Sequence, residues 1–264
     1  MGVNANSEAL KYIQLGNKNS SISLVFLHGS TMTKEGMLPL AEMFPQFNCI
    51  SFDLTAHGES KGQLPEEISD LSKAVETSIS VLQDNKVIGE KIILLGYSMG
   101  GAIVFDIAKR KQIDLMGMVI LSSGADLKNF TPLVDEIKNM PPEQFKTSDI
   151  VQYLFGKDTS EEERKKISDM FLQTKAKDLT GYNDLMISNA YNQLEKCSKI
   201  TTPTLLIHGS DDTIVLPDAG IKTWKQIKDS ELLILPYKGH AAIYEDTGVI
   251  KDKINEFVHC MDNQ

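Results

Sequence analysis

Six short apolar runs recur along the chain with stretches of helical periodicity between them: SLVFLHG at 23–29, NCISFD at 48–53, KIILLG at 91–96, LMGMVILSS at 115–123, TPTLLIHG at 202–209 and ELLILPY at 231–237. Strand-like runs that alternate with helices predict a parallel sheet, because a parallel neighbour is reached only by crossing over the face of the sheet. Between the second and third runs, Ile68, Leu71, Val75, Ile79 and Leu82 step by 3, 4, 4 and 3, which lays one apolar stripe along a helix. A further helix follows the third run and closes on Lys109, Arg110 and Lys111, cations that suit the negative end of a helix dipole. The expected fold class is α/β, a doubly wound and mostly parallel sheet. At 264 residues and 41% hydrophobic content, the chain can bury the core of one large domain carrying an insertion.

The alternation breaks once. From Asp126 to Cys197 there is no strand-like run; TPLVDEIKNM, TSDIVQYLFG, TSEEERKKISDMFLQT and GYNDLMISNAYNQLEKC read as helical, with Ser160 and Glu163 at the spacing of a capping box. Residues 126–197 are expected to form a helical cap inserted into a core built from 1–125 and 198–264. Ahead of the first run, EALKYIQLG at 8–16 leaves room for a single strand.

Charge and cysteine usage narrow the partners. A formal net charge of −9 argues against nucleic acid, whose phosphates require clustered Lys and Arg. Cys49, Cys197 and Cys260 are odd in number, far apart and without ligand spacing, and read as free thiols of a reducing compartment. The opening MGVNANSEAL has neither a basic n-region nor an apolar h-region, and Asn6 stands where a myristoylation pattern needs Ser or Thr. No apolar run is long enough to span a bilayer. The expectation is a soluble cytoplasmic protein, without metal or organic cofactor, that acts on a small molecule.

The chemistry begins where the third run ends. Gly96-Tyr97-Ser98-Met99-Gly100 fits the G-x-S-x-G nucleophile elbow, with a strand before it and a helix after it, and Gly101 and Ala102 are small enough for close packing. A serine hydroxyl is a weak nucleophile at neutral pH and needs a base, which in turn needs an orienting acid. In the chain order Ser, Asp, His, both partners belong in loops after later strands. His240, in PYKGHAAIYED beyond the last run, is the candidate base. His28 and His208 end strands in HG pairs and read as packed or hydrogen-bonded, His57 as bracing a loop, and His259 as part of the C-terminal helix. Asp211 and Asp212 compete for the acid, since adjacent side chains in an extended turn point apart; Asp126, just after an earlier strand, is a more distant candidate.

These motifs, in this order, resemble those of the α/β-hydrolase superfamily over nearly the whole chain outside the cap. The resemblance implies that a Gly-x-x-Asp turn after the penultimate strand supplies the acid, which selects Asp212 of Gly209-Ser210-Asp211-Asp212. It also implies an oxyanion hole formed by the backbone N–H groups of Met99 and Ser30. Asp53 to Ser60, DLTAHGES, is similar to the family's D-x-x-G-H-G-x-S stretch but has Ala56 where glycine is usual. With room for one strand before the first HG, the family's usual leading hairpin is expected to be incomplete.

The expected activity is that of a capped serine hydrolase cleaving a small carboxylic ester through an acyl-enzyme. A thioesterase, a carbon–carbon bond hydrolase or an aminopeptidase would share the triad, and a non-catalytic ligand receptor would share the fold. An aminopeptidase needs an acid to bind the substrate amine, and Glu161, Glu162 and Glu163 of the cap read instead as a solvated first helical turn. Leu154, Phe155, Met170, Phe171, Leu185, Met186 and Ile187 are the cap residues available to pack against the core or wall an acyl pocket.

Overall fold

The computed structural model describes residues 9–262; the leader reading of residues 1–8 lies outside the described residues. Among the described residues seven strands form one sheet: β1 (Tyr12–Gly16), β2 (Ile22–Leu27), β3 (Asn48–Phe52), β4 (Lys91–Tyr97), β5 (Gly117–Leu121), β6 (Thr204–Gly209) and β7 (Ser230–Leu235). Each of the six apolar runs supplies one of β2 to β7. The strand order is β1-β3-β2-β4-β5-β6-β7. Among the described residues only β1 runs antiparallel; it precedes β2 in the chain and pairs with β3. Strands β2 to β6 are buried on both faces, apart from Lys91 at the start of β4, which is why they read as continuous apolar runs rather than as alternating ones.

The helices are α1 (Leu38–Ala41), α2 (Ile68–Asp84), α3 (Met99–Arg110), α4 (Pro132–Ile137), α5 (Glu161–Gln173), α6 (Asp178–Ala190), α7 (Pro217–Trp224), α8 (Ala242–Glu245) and α9 (Thr247–Asp262). The five residues of the predicted stripe on α2 are all buried, and α2 packs on α3 while α1 packs on α9. The chain steps from β2 outward to β3 by way of α1, then returns past β2 to β4 by way of α2, so right-handed crossovers put the two helices on opposite faces. The sheet order therefore reverses between β2 and β4. In open α/β sheets, a crevice forms at such a point beyond the carboxyl ends of the strands.

Helices α4, α5 and α6 lie between β5 and β6. The capping box of α5 is formed, with Ser160 Oγ accepting from Glu163 N–H at 3.3 Å and Glu163 Oε2 accepting from Ser160 N–H at 3.1 Å. The stretch TSDIVQYLFG departs from expectation. Residues Thr147–Tyr153 form a 3₁₀ helix with no side-chain cap at its N-terminus, the tighter winding typical of short connecting pieces. The two ends of the helical segment meet where Leu127 N–H donates to Tyr191 O at 3.0 Å, beside a bridge between Asp126 and Asn192. Asp126 also accepts from the Asn129 side chain at 2.8 Å, so it serves the root of the segment and does not approach His240. No helix among the described residues is long and apolar enough to cross a membrane.

Candidate active site

Ser98 occupies the corner between β4 and α3 with φ 52° and ψ −118°, a left-handed backbone that costs a non-glycine residue of the order of 1–3 kcal/mol and persists only when its surroundings impose it. The flanking glycines allow this approach. A Cβ on Gly100 would lie 2.3 Å from Leu27 O, and one on Gly96 would lie 2.3 Å from Gly100 O. With no side chains in the way, strand and helix pass close together and the serine hydroxyl projects over the sheet's carboxyl edge.

Two later loops converge on that hydroxyl. His240 Nε2 is 3.0 Å from Ser98 Oγ, and His240 Nδ1 is 2.8 Å from Asp212 Oδ2. With Nδ1–H donated to the carboxylate, Nε2 is free to accept the serine proton. Asp212 Oδ1 accepts the N–H groups of Ile214 and Val215, each at 2.9 Å, and His208 Nε2 stands 3.2 Å from Oδ2. Burial opposes the charge on Asp212, yet the field of His240 and the hydrogen bonds from His208 and His240 outweigh it and hold its pKa at about 2. Asp212 is thus a fixed anion behind the imidazole. Asp211 points elsewhere: its carboxylate accepts from Ser210 Oγ at 2.8 Å and from Lys157 N–H at 3.3 Å. Tyr97 braces His240 from the side, donating its hydroxyl to His240 O at 3.1 Å with the two rings 5.2 Å apart.

Met99 is the first residue of α3, where a backbone N–H has no intrahelical acceptor. Ser30 follows β2 across the reversal point and lines the same cavity as Ser98 and His240. That cavity measures about 20 Å³, room for roughly one water. Its apolar wall is Met32, Ile150, Leu154, Phe171, Leu185 and Ile214; His240 is the one histidine among its described lining residues, which include no Asp, Glu, Lys or Arg. Of the seven apolar residues expected as possible walls, Leu154, Phe171 and Leu185 take that place. Phe155, Met170 and Met186 pack against the core cluster, and Ile187 faces a separate cavity with Asp106 and Tyr191. The adaptable methionine of the wall is Met32, from the loop after β2.

Four polar residues bear on the site more directly than their sequence context suggested. His208 backs Asp212 while sharing its Nε2–H with Val215 O at 2.8 Å; its position four residues before the acid was the available signal. His57 and Asp184 form a fully buried pair, Nε2 to Oδ2 at 2.9 Å. His57 Nδ1 also faces Thr55 O at 2.9 Å, so both ring nitrogens donate and the imidazole is charged. Burial alone would lower its pKa, but the Asp184 carboxylate outweighs that and raises it. His28 is the opposite case: burial first, and then the nearby His57 charge, lower its pKa, leaving a neutral ring that donates from Nδ1 to Gly29 O at 2.9 Å and accepts Leu54 N–H at 3.2 Å.

A strained serine at the switch point of a doubly wound sheet, answered by a buried histidine and aspartate from the last two strand ends, is the arrangement of the α/β-hydrolase class of enzymes. The chain belongs to the family described as serine aminopeptidase, S33, whose model matches residues 18–247. It is 27% identical over 256 residues to the AB hydrolase superfamily protein YisY of Bacillus subtilis, with 89% of each chain covered. A proline iminopeptidase of Saccharolobus solfataricus is 26% identical over 276 residues, which cover 91% of this chain and 86% of that one. Among solved structures, a lipase-esterase related protein from Clostridium acetobutylicum superimposes with a TM-score of 0.83 and 27% identity, covering 95% of this chain and 100% of the other.

Proposed function

We propose that this α/β-hydrolase cleaves small, uncharged carboxylic esters through an acyl-enzyme. Ser98 Oγ attacks the ester carbonyl as His240 Nε2 takes its proton, and the backbone N–H groups of Ser30 and Met99 receive the oxyanion. Main-chain donors suit this task because they are in place before the charge develops. His240 then protonates the departing alcohol, Asp212 stabilises the imidazolium, and a water activated by His240 releases the acid. The helical segment 126–197 acts as the cap and walls the acyl pocket with Ile150, Leu154, Phe171 and Leu185.

The observation that carries this reading is the 3.0 Å contact between Ser98 and His240 opening onto a wall of apolar side chains. An aminopeptidase would present a carboxylate to the substrate amine, and the described lining contains none. Asp184, the cap acid beside the site, gives Oδ2 to His57 and to Thr31 N–H and is not among the lining residues, although its buried Oδ1 has no hydrogen-bond partner. The absence of Lys and Arg from that lining likewise disfavours a substrate anchored by its own carboxylate. The free thiols of Cys49, Cys197 and Cys260 suit a reducing, cytoplasmic setting.

The test is turnover of p-nitrophenyl esters alongside an aminoacyl amide and a vinylogous diketone, with Ser98→Ala as control. We expect multiple turnover of the short esters, loss of roughly 10⁴-fold or more in Ser98→Ala, and fluorophosphonate labelling at Ser98. Turnover confined to the amide or the diketone would overturn the ester reading. A single stoichiometric burst without turnover would favour a receptor.

A further inference from the structure

Asp184 sits on α6, within the cap, yet its hydrogen bonds belong to the core. Its side chain is fully buried, and Oδ2 accepts both Thr31 N–H at 3.0 Å and the His57 Nε2–H at 2.9 Å. Thr31 has φ 68°, a genuine outlier for a β-branched residue. It is held there from both sides by the cap, because Thr31 O accepts Ala176 N–H at 2.7 Å. The next turn of the loop is tied in the same direction, with Thr33 Oγ1 donating to Thr174 O at 2.9 Å. The packing is close enough that a Cβ on Gly181 would fall 2.9 Å from Thr31 Cγ2.

The residue so held follows Ser30 directly. The peptide that carries the Ser30 N–H is fixed at its oxygen by the core, through His28 Nδ1–H to Gly29 O at 2.9 Å. The next peptide is fixed at its N–H by Asp184. Two adjacent peptide planes are thereby clamped, one by the core and one by the cap, and the direction of the Ser30 N–H depends on both clamps. His57, held in turn by Thr55 O at 2.9 Å, is the second donor on the same carboxylate oxygen and fixes its direction from the core side.

We infer that Asp184 is a positioning residue for acyl transfer: from the cap, it holds the Ser30–Thr31 peptide so that the Ser30 N–H points at the oxyanion, making the docked cap part of the catalytic machinery. The inference rests on the serine-hydrolase reading above. Outright removal of an oxyanion donor costs about 10²–10³ in kcat, and a donor that is present but misdirected costs less.

The experiment compares wild type, Asp184→Ala, Asp184→Asn and the double variant His57→Leu/Asp184→Leu, which removes the acceptor without stranding a buried charge. Each is assayed for kcat and KM on a short p-nitrophenyl ester. Each is also assayed for inhibition by an alkyl trifluoromethyl ketone, whose carbonyl carbon accepts Ser98 Oγ while the serine proton passes to His240, placing an alkoxide where the oxyanion forms. Asp184→Ala and the double variant should lose roughly 30-fold in kcat with KM within about threefold, and ketone affinity should fall in parallel, since an analogue of the transition state reports the same interaction. Asp184→Asn, whose amide oxygen still accepts Thr31 N–H, should recover most of the loss. A folded double variant with wild-type kcat, or a defect confined to KM, or unchanged ketone affinity, would show that Asp184 only fastens the cap. A wild type that neither turns over esters nor labels at Ser98 would instead bring down the hydrolase reading itself.

Discussion

At the scale of single residues, the choice between adjacent carboxylates decides the acid. Asp212 receives four hydrogen-bond donors and faces His240 Nδ1 at 2.8 Å, whereas Asp211 faces the backbone of Lys157. Asp212→Asn should therefore lower kcat by about 10⁴-fold, as loss of the orienting carboxylate misassigns the imidazole tautomer. Asp211→Asn should stay within about threefold, the size of effect expected from an exposed charge; kcat of the two variants on one ester, with the larger loss in Asp211→Asn, would reverse the assignment. Ala56 is a second case. It stands where the related motif has glycine and adopts φ 66°, so it carries the left-handed penalty of roughly 1–2 kcal/mol, partly offset by its lower entropy in the unfolded chain. Ala56→Gly is expected to raise Tm by about 1–3 °C, and a lowered Tm in a calorimetric scan would contradict it. Ser98, His240 and Asp212 were legible because each sits in a short local pattern at a strand end. Asp184 was not legible: its partner His57 is 127 residues away in sequence, and only the fold brings them together.

At the scale of elements, the strands were legible for the reason that makes them central, namely burial on both faces. The helical segment was less so. Its α5 was marked by a local capping box, but Thr147–Tyr153 wound as a 3₁₀ helix, and which apolar residues would face the serine depended on how the helices dock on loops far away in sequence. Met32 entered the wall from a core loop for that reason. The contact between the helical segment and the loop after β3 is expected to have its own pH dependence. His57 is flanked by Asp184 on α6, by Thr55 O and Asp53 on the loop after β3, and by the neutral His28 ring 4.8 Å away at the end of β2. Burial opposes its charge but Asp184 more than compensates, so its folded pKa is raised. A raised folded pKa stabilises fully below the unfolded value, about 6.5 for histidine, and the stabilisation is lost as pH climbs through the folded pKa. Relative to Asp184→Asn, wild type should thus show the steeper loss of Tm as pH rises above about 6.5. Parallel curves for the two proteins would place the titration elsewhere.

At the scale of the whole molecule, the proposed function assigns the chemistry to residues at the sheet's strand ends and access to the segment between β5 and β6. Ser98 and His240 open onto about 20 Å³, less than an acyl chain of any length, so under the proposed function binding has to displace apolar side chains of the helical segment that line the cavity beside the serine. Each methylene of the acyl group that replaces water with this wall contributes about 0.8 kcal/mol, up to the point where the helical segment can yield no further. Beyond that point the added carbon meets packed side chains, and overfilling a close-packed interior costs typically 1–3 kcal/mol. The expected profile of kcat/KM against acyl length therefore rises by up to about fourfold per methylene, as the 0.8 kcal/mol increment implies, and then drops within one or two carbons. The wall also predicts where the drop moves. Phe171 and Leu185 reach the cavity from α5 and α6, and truncating either to Ala enlarges it, so Phe171→Ala and Leu185→Ala should shift the optimum to longer chains while turnover of the acetate ester falls or holds. Stopped-rate assays across a p-nitrophenyl ester series from acetate to dodecanoate, repeated on both variants, measure this directly. A flat profile, an optimum unmoved by either truncation, or activity that climbs steadily toward long emulsified esters and jumps at an oil interface would show that the cap does not bound the acyl pocket.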